Sequence, residues 1–173
     1  IGAYAFNGCD ALGTVVLESG VTTLGENAFS NCPQLWSLSF SDTLSSIGNN
    51  AFSYDAALGS ITLPGSLTTI GEEAFSDCDG IGEVWISENS GLTIGNNAFY
   101  SCDNLTGVSV GAGTVSLGDS TFDYCTNLTW VSLPEGLTTI GAWCFSNDGL
   151  TEVTIPSTVT TLGEGAFHNT ALT

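Results

Sequence analysis

The sequence predicts a mainly β repeat solenoid, a single curved right-handed array with no second domain. Three features predict it: a short signal recurring at near-constant intervals, one β-prone run in each interval, and one phenylalanine at the same phase of each. The signal, of the form Ile/Leu-Gly-x-x-Ala-Phe, opens at Ile1, Leu24, Ile47, Ile70, Ile94, Leu117, Ile140 and Leu162, at intervals of 23, 23, 23, 24, 23, 23 and 22 residues. The register is unbroken, so residues 1–173 form one array of about seven and a half 23-residue coils, starting near 1, 24, 47, 70, 94, 117, 140 and 162.

Each element of the coil follows in order. The β-prone runs are Val15-Val16-Leu17, Leu38-Ser39-Phe40, Ile61-Thr62-Leu63, Val84-Trp85-Ile86, Val108-Ser109-Val110, Val131-Ser132-Leu133 and Val153-Thr154-Ile155. Side chains alternate along a strand, which puts Val15 and Leu17 inside and Val16 outside. Segments such as Leu67 to Ile70 make a second extended edge, where adjacent hydroxyl residues (Thr22-Thr23, Ser45-Ser46, Thr68-Thr69, Thr138-Thr139, Thr160-Thr161) are expected to point to opposite faces. Gly25, Gly48, Gly71, Gly95, Gly118, Gly141 and Gly163 follow that edge, as a sharp turn with positive φ or a close backbone approach requires. Phe6, Phe29, Phe52, Phe75, Phe99, Phe122, Phe145 and Phe167 are expected to stack as an aromatic spine.

Periods of ~20–29 residues with regularly spaced aliphatics mark leucine-rich-repeat solenoids. The fuller pattern Leu-x-x-Val/Ile-x-Leu-Pro-x-x-Leu-Thr-x-Ile-Gly-x-x-Ala-Phe-x-x-Cys stands almost entire from Leu58 to Cys78 and from Leu128 to Phe145. It resembles the BspA-like leucine-rich repeats over the whole chain. That resemblance implies a curved solenoid displayed outside the cell and used for adhesion or recognition, without naming a ligand.

Charge narrows the partners. The chain has 18 Asp plus Glu, one His and neither Lys nor Arg, a formal charge of −18, whereas an average soluble chain is about a quarter charged. Only 10% of residues are charged and 42% are apolar, so the chain buries a core rather than behaving as an acidic tail. Nucleic acid and anionic membranes are excluded as partners, because the phosphate contacts that dominate such binding need basic residues. No stretch reaches the ~20 apolar residues of a membrane span. No signal peptide is recognisable and Met is absent, which reads as a mature or excised segment.

Five cysteines, Cys9, Cys32, Cys78, Cys102 and Cys125, share one column with Asp55, Asp148 and Thr170, while Cys144 stands where other coils have alanine. Parallel side chains on coils ~4.8 Å apart do not converge as a disulfide demands, so buried free thiols are expected. A straight column likewise gives no tetrahedral zinc site, and no cofactor is implied. His168, the single imidazole, lies in the unfinished last coil and assembles no triad, so no catalytic residue is assigned and the chain reads as a non-enzyme. Glu72, Glu73, Asp77 and Asp79 crowd one coil and are weak calcium candidates, hard cations wanting several oxygens, although calcium-loop spacing is missing. Glu26, Asn49, Glu72, Asn96 and Asp119 share another column, in which Asn separates like charges.

The outward strand face carries Trp36, Trp85 and Trp130 among Ser and Thr, with Glu83 and Glu152 in the same rows. Aromatic platforms beside hydroxyls and carboxylates suit a sugar ring or a protein surface, which makes these five residues the ligand-contact candidates. Asn104-Leu105-Thr106 and Asn127-Leu128-Thr129 are glycosylation sequons in adjacent coils. The chain starts inside one repeat at Ile1-Gly2 and stops inside another at Leu172-Thr173, without the polar caps that close a solenoid. The expectation is a segment of a longer array, or a subunit associating end to end into a filament, acting as an extracellular or cell-surface structural and adhesive module. The alternatives are an adhesin using the Trp-bearing face for a protein or glycan and, more distantly, an ice-binding protein. Self-association, other surface proteins, glycans and divalent cations are the expected partners.

Overall fold

The computed structural model describes residues 1–173 as parallel strands and turns. None of it is a helix long and apolar enough to cross a membrane. One face of the solenoid carries β1 (Thr14–Val16), β3 (Ser37–Ser39), β5 (Ile61–Leu63), β7 (Glu83–Ile86), β9 (Gly107–Ser109) and β11 (Trp130–Ser132). The other carries β2 (Thr23–Leu24), β4 (Ser46–Ile47), β6 (Thr69–Ile70), β8 (Thr93–Ile94), β10 (Ser116–Leu117), β12 (Thr139–Ile140) and β13 (Thr161–Leu162). The second set forms one seven-stranded parallel sheet. The first set splits into β1–β3 and β5–β7–β9–β11, and the break falls beside Phe40, whose ring fills the position of Leu17 and Leu63 and meets Phe52 edge-on at 6.0 Å.

Coil stacking buries what one coil could not bury alone. A cluster of 39 buried apolar residues runs from Leu17 to Ala166. Along it the spine rings stack face to face, with centroids 5.0–5.3 Å apart and planes within 10°. The backbone follows the same order, each spine N–H donating to the next coil, as Phe29 to the Ala51 carbonyl and Phe75 to the Ala98 carbonyl, both at 2.8 Å. All six cysteines are free, five of them buried and Cys9 half-buried. The thiols of Cys32, Cys78, Cys102 and Cys125 donate to the carbonyls of Phe6, Phe52, Phe75 and Phe99 at 3.0–3.3 Å.

Of the two reasons expected for the turn glycines one holds, and other expectations are amended. Gly25, Gly48 and Gly71 and their equivalents do not need positive φ; a Cβ at Gly71 would lie 2.6 Å from the Asn49 backbone nitrogen and 2.7 Å from the Gly48 carbonyl carbon, so close approach alone selects glycine. Left-handed backbone falls instead on other columns, including Asn27, Asn50, Glu73, Asn97 and Trp143 in one, Asn31, Tyr54, Asp77 and Tyr124 in another, and Gly20, Gly113 and Gly136 in a third. The paired hydroxyl residues do not point to opposite faces: Leu67 and Ile70 are buried while Thr68 and Thr69 are both exposed, because the chain bends there to turn both apolar residues inward. In the shared acidic column Asn does more than space charges, since Asn49 and Asn96 side-chain oxygens accept the backbone N–H of Glu72 and Asp119 at 3.0 and 2.9 Å.

The coil count differs as well. Val153-Thr154-Ile155 is not a strand, leaving six strands on the first face where seven runs were expected. In each earlier coil an i→i+3 bond closes the turn before the strand, as in Ile81 to Cys78, Leu105 to Cys102 and Leu128 to Cys125. The last complete coil, opening at Ile140, has one residue fewer between Asp148 and Leu150, and that bond is not made. An insertion is handled differently: the extra residue of the 24-residue interval is absorbed by Asn89, which bonds Ser87, Thr114 and Leu92.

Candidate functional site

The β7–β9–β11 ladder sets the site. Glu83, Gly107 and Trp130 are register partners, and so are Trp85, Ser109 and Ser132. The row therefore runs carboxylate, bare backbone, indole. Trp130 folds flat over Gly107, where any Cβ would collide with its ring. Lying there, it brings its ring to 5.7 Å from that of Trp85, tilted by 54°. Trp85 is 45% exposed and donates its Nε1–H to Glu83 Oε2 at 3.1 Å. The Glu83 backbone is pinned in turn by Ser60, whose Oγ accepts its N–H at 3.0 Å. The result is an aromatic step two rings wide with one edge fixed by a carboxylate.

Beyond β11 the surface opens. A cleft of about 400 Å³ lies between Trp130–Leu133 and Glu152–Thr154, so Glu152 and Trp130 face one space. Of the expected contact residues, Glu83, Trp85, Trp130 and Glu152 are thus brought into one continuous stretch. Trp36 is not; it stands 62% exposed over Gly13, four coils away from Trp130. Sequence reasoning missed Gly107, although its signal was present as the one glycine in a column of Thr14, Ser37, Ser60, Glu83 and Trp130.

The family of BspA type Leucine rich repeat regions matches residues 1–91 and 46–173, in six copies. The chain belongs to this family. Among solved leucine-rich structures, it is 32% identical to the leucine-rich repeat protein of T. pallidum, with a TM-score of 0.76, covering 85% of this chain and 68% of that one. A leucine-rich repeat protein from Bacteroides ovatus is 30% identical, with a TM-score of 0.66, covering 96% of this chain and 49% of that one. A leucine-rich cell surface protein from Faecalibacterium prausnitzii is 25% identical, with a TM-score of 0.54, covering 97% of this chain and 54% of that one. The chain thus spans about half the length of the last two. No curated protein matches it.

Other sequence-selected residues lie apart from this site on the BspA-type scaffold. Glu72, Glu73, Asp77 and Asp79 are not gathered: no three acidic, His or Cys side chains are placed to hold a metal ion. Asp77 accepts the Ser76 hydroxyl at 2.7 Å, and burial raises the carboxyl of Asp79, with the charge of Asp103 adding to it. Asn104 and Asn127 are both exposed, and the Asn127 amide donates to the Asp103 carbonyl at 2.7 Å. His168 is exposed, its ring edge-on to Trp143 at 5.4 Å. Where the repeat's cysteine is replaced by Asp55, the carboxylate accepts the Cys32 N–H at 2.7 Å.

Proposed function

We propose that this BspA-type chain is a non-enzymatic, surface-displayed recognition and adhesion module that binds through the Glu83–Trp85–Trp130 face. The observation that supports it is the Trp85–Trp130 contact at 5.7 Å, built over a glycine on an otherwise hydroxyl-rich sheet. A core-packing role does not require such an arrangement, since Trp85 is 45% exposed. An exposed and a half-buried indole fixed beside a carboxylate supply large contact area with little rotamer entropy to lose, which favours a sugar ring or a protein surface alike. Display outside the cell is supported by similarity to the F. prausnitzii protein, which is described as a cell surface protein.

Beads coated with the chain, applied to cultured epithelial cells with and without enzymatic removal of surface glycans, test this reading. Trp85→Ala with Trp130→Ala should lower bead retention about tenfold, as loss of central aromatic anchors does, while Trp36→Ala should retain it. Equal adhesion by all variants would reject the assignment of the face, and sensitivity to glycan removal separates a glycan ligand from a protein one.

A further inference from the structure

The cleft beside Trp130 has a property that the aromatic step lacks: it is bounded by a strand edge with nothing paired to it. In β11, Trp130 and Ser132 pair toward β9, with the Ser132 carbonyl accepting the Val110 N–H at 3.0 Å. Successive residues of a strand direct their backbone groups to opposite edges. Val131 and Leu133 therefore present N–H and C=O toward the last coil. No backbone hydrogen bond joins 149–155 to 128–133, although the last coil is tied on both sides of the gap. Before it, the Ser146 carbonyl accepts the Tyr124 N–H at 3.0 Å; after it, Ser157 bonds the Glu135 carboxylate and Thr158 the Leu137 carbonyl.

The missing turn residue thus parts two coils locally and leaves a slot walled by backbone. Its chemistry selects the occupant. Trp130 lines one wall and the exposed carboxylate of Glu152 the other, and the chain has no Lys or Arg to neutralise that acid. A cation must come from outside, and an indole beside a carboxylate receives a Lys or Arg stem and head together. Backbone edge and side-chain walls together match strand addition, in which main-chain bonds give affinity and flanking side chains give specificity.

We propose that this cleft receives an extended, basic peptide segment of a partner protein, which adds as a strand to the open edge of β11 and directs a Lys or Arg onto Glu152 and Trp130. The inference rests on the strand face being the recognition surface, and it makes a protein, rather than a glycan, the ligand at this end of it.

The test uses the whole chain and three synthetic probes: a short peptide alternating valine and lysine, the same peptide with alternate backbone nitrogens methylated, and the same peptide with glutamate for lysine. A chitooligosaccharide serves as the glycan arm. Binding is read by tryptophan fluorescence and by amide hydrogen exchange. The valine–lysine peptide should bind, more weakly as salt rises, and should slow exchange at Val131 and Leu133, which exchange freely in its absence. The methylated and acidic peptides should bind at least about tenfold more weakly, having lost the ladder or the charge. Inserting one asparagine between Asp148 and Gly149 restores the turn, closes the slot and should abolish peptide binding. Glu152→Gln, which leaves the backbone alone, should weaken it about fivefold, the scale of one exposed charge pair.

Binding that ignores backbone methylation, or that leaves Val131 and Leu133 unprotected, overturns the proposal. So does failure of the basic peptide to bind, or binding of the oligosaccharide alone in the slot. If the basic peptide fails while adhesion still depends on Trp85 and Trp130, strand addition falls and the recognition surface stands; loss of both dependences removes both.

Discussion

Asp55 and Asp148 occupy the thiol column, where a carboxyl has the worst fit. Burial raises Asp55 from 3.8 to about 8, outweighing the Cys32 N–H that favours its anion. Burial raises Asp148 to about 9, with the neighbouring Asp123 charge adding to it, and neither Asp148 oxygen has a hydrogen-bond partner. Both folded-state values exceed the unfolded one, so the folded chain holds protons that the unfolded chain releases. The associated stability is fully present below about pH 3.8 and is lost as pH rises through about 8 and 9. Thermal melts between these limits should show stability falling with pH. Asp55→Asn and Asp148→Asn should flatten that slope and raise stability at pH 8 by about 2–4 kcal/mol each, since each tenfold change in proton affinity is worth about 1.4 kcal/mol before the site relaxes. A slope unchanged in the double variant would mean that the dispersed surface acids, not these two, set the pH response.

At the scale of the element, the glycines separate into two kinds that are alike in sequence. Gly71 has ordinary φ and no room, a Cβ there lying 2.5 Å from the Asn49 side-chain oxygen and 2.6 Å from its nitrogen. Gly136 has open space and φ of +102°. Gly71→Ala must push two coils apart and should cost about 3 kcal/mol, the upper end of overpacking, against about 1–2 kcal/mol for Gly136→Ala, which strains only its own backbone. Urea denaturation of the two variants distinguishes them. Periodicity made the coils, the inward positions and the aromatic spine readable, because every coil repeats one steric solution. It could not locate the left-handed columns, since Tyr54, Glu73 and Trp143 adopt a conformation usually left to glycine or asparagine. Alternation identified Trp85, Glu83 and Trp130 as outward, yet their contact depends on a ring lying across Gly107, a tertiary fact. The interval of 22 residues was visible, but its consequence, a lost turn bond and an open strand edge, appears only when the neighbouring coil is in place.

The whole molecule combines a formal charge of −18 with a solenoid that stacks like residues over like. No Lys or Arg offsets this charge, so every long-range Coulomb contribution among side chains is repulsive, and stacking concentrates acids that an unfolded chain would spread apart. Glu26, Glu72 and Asp119 alternate with Asn49 and Asn96 in one such column, and the Asn side chains there bond the neighbouring backbone, which keeps the worst adjacencies apart without removing the field. Salt acts on what remains. Raising ionic strength from about 0.01 to about 0.15 M shortens the Debye length from ~30 to ~8 Å, which screens acids several coils apart while leaving the core untouched. The melting temperature at pH 7 should therefore rise with NaCl, by several degrees if about 1–2 kcal/mol of repulsion is relieved. CaCl₂ at matched ionic strength should give the same rise as NaCl if screening alone acts, because Glu72, Glu73, Asp77 and Asp79 are not gathered into a site. A melting temperature that falls with NaCl would show that repulsion is not what limits the folded chain. A rise specific to calcium, and lost in Glu72→Gln with Asp79→Asn, would instead place a cation at that one coil.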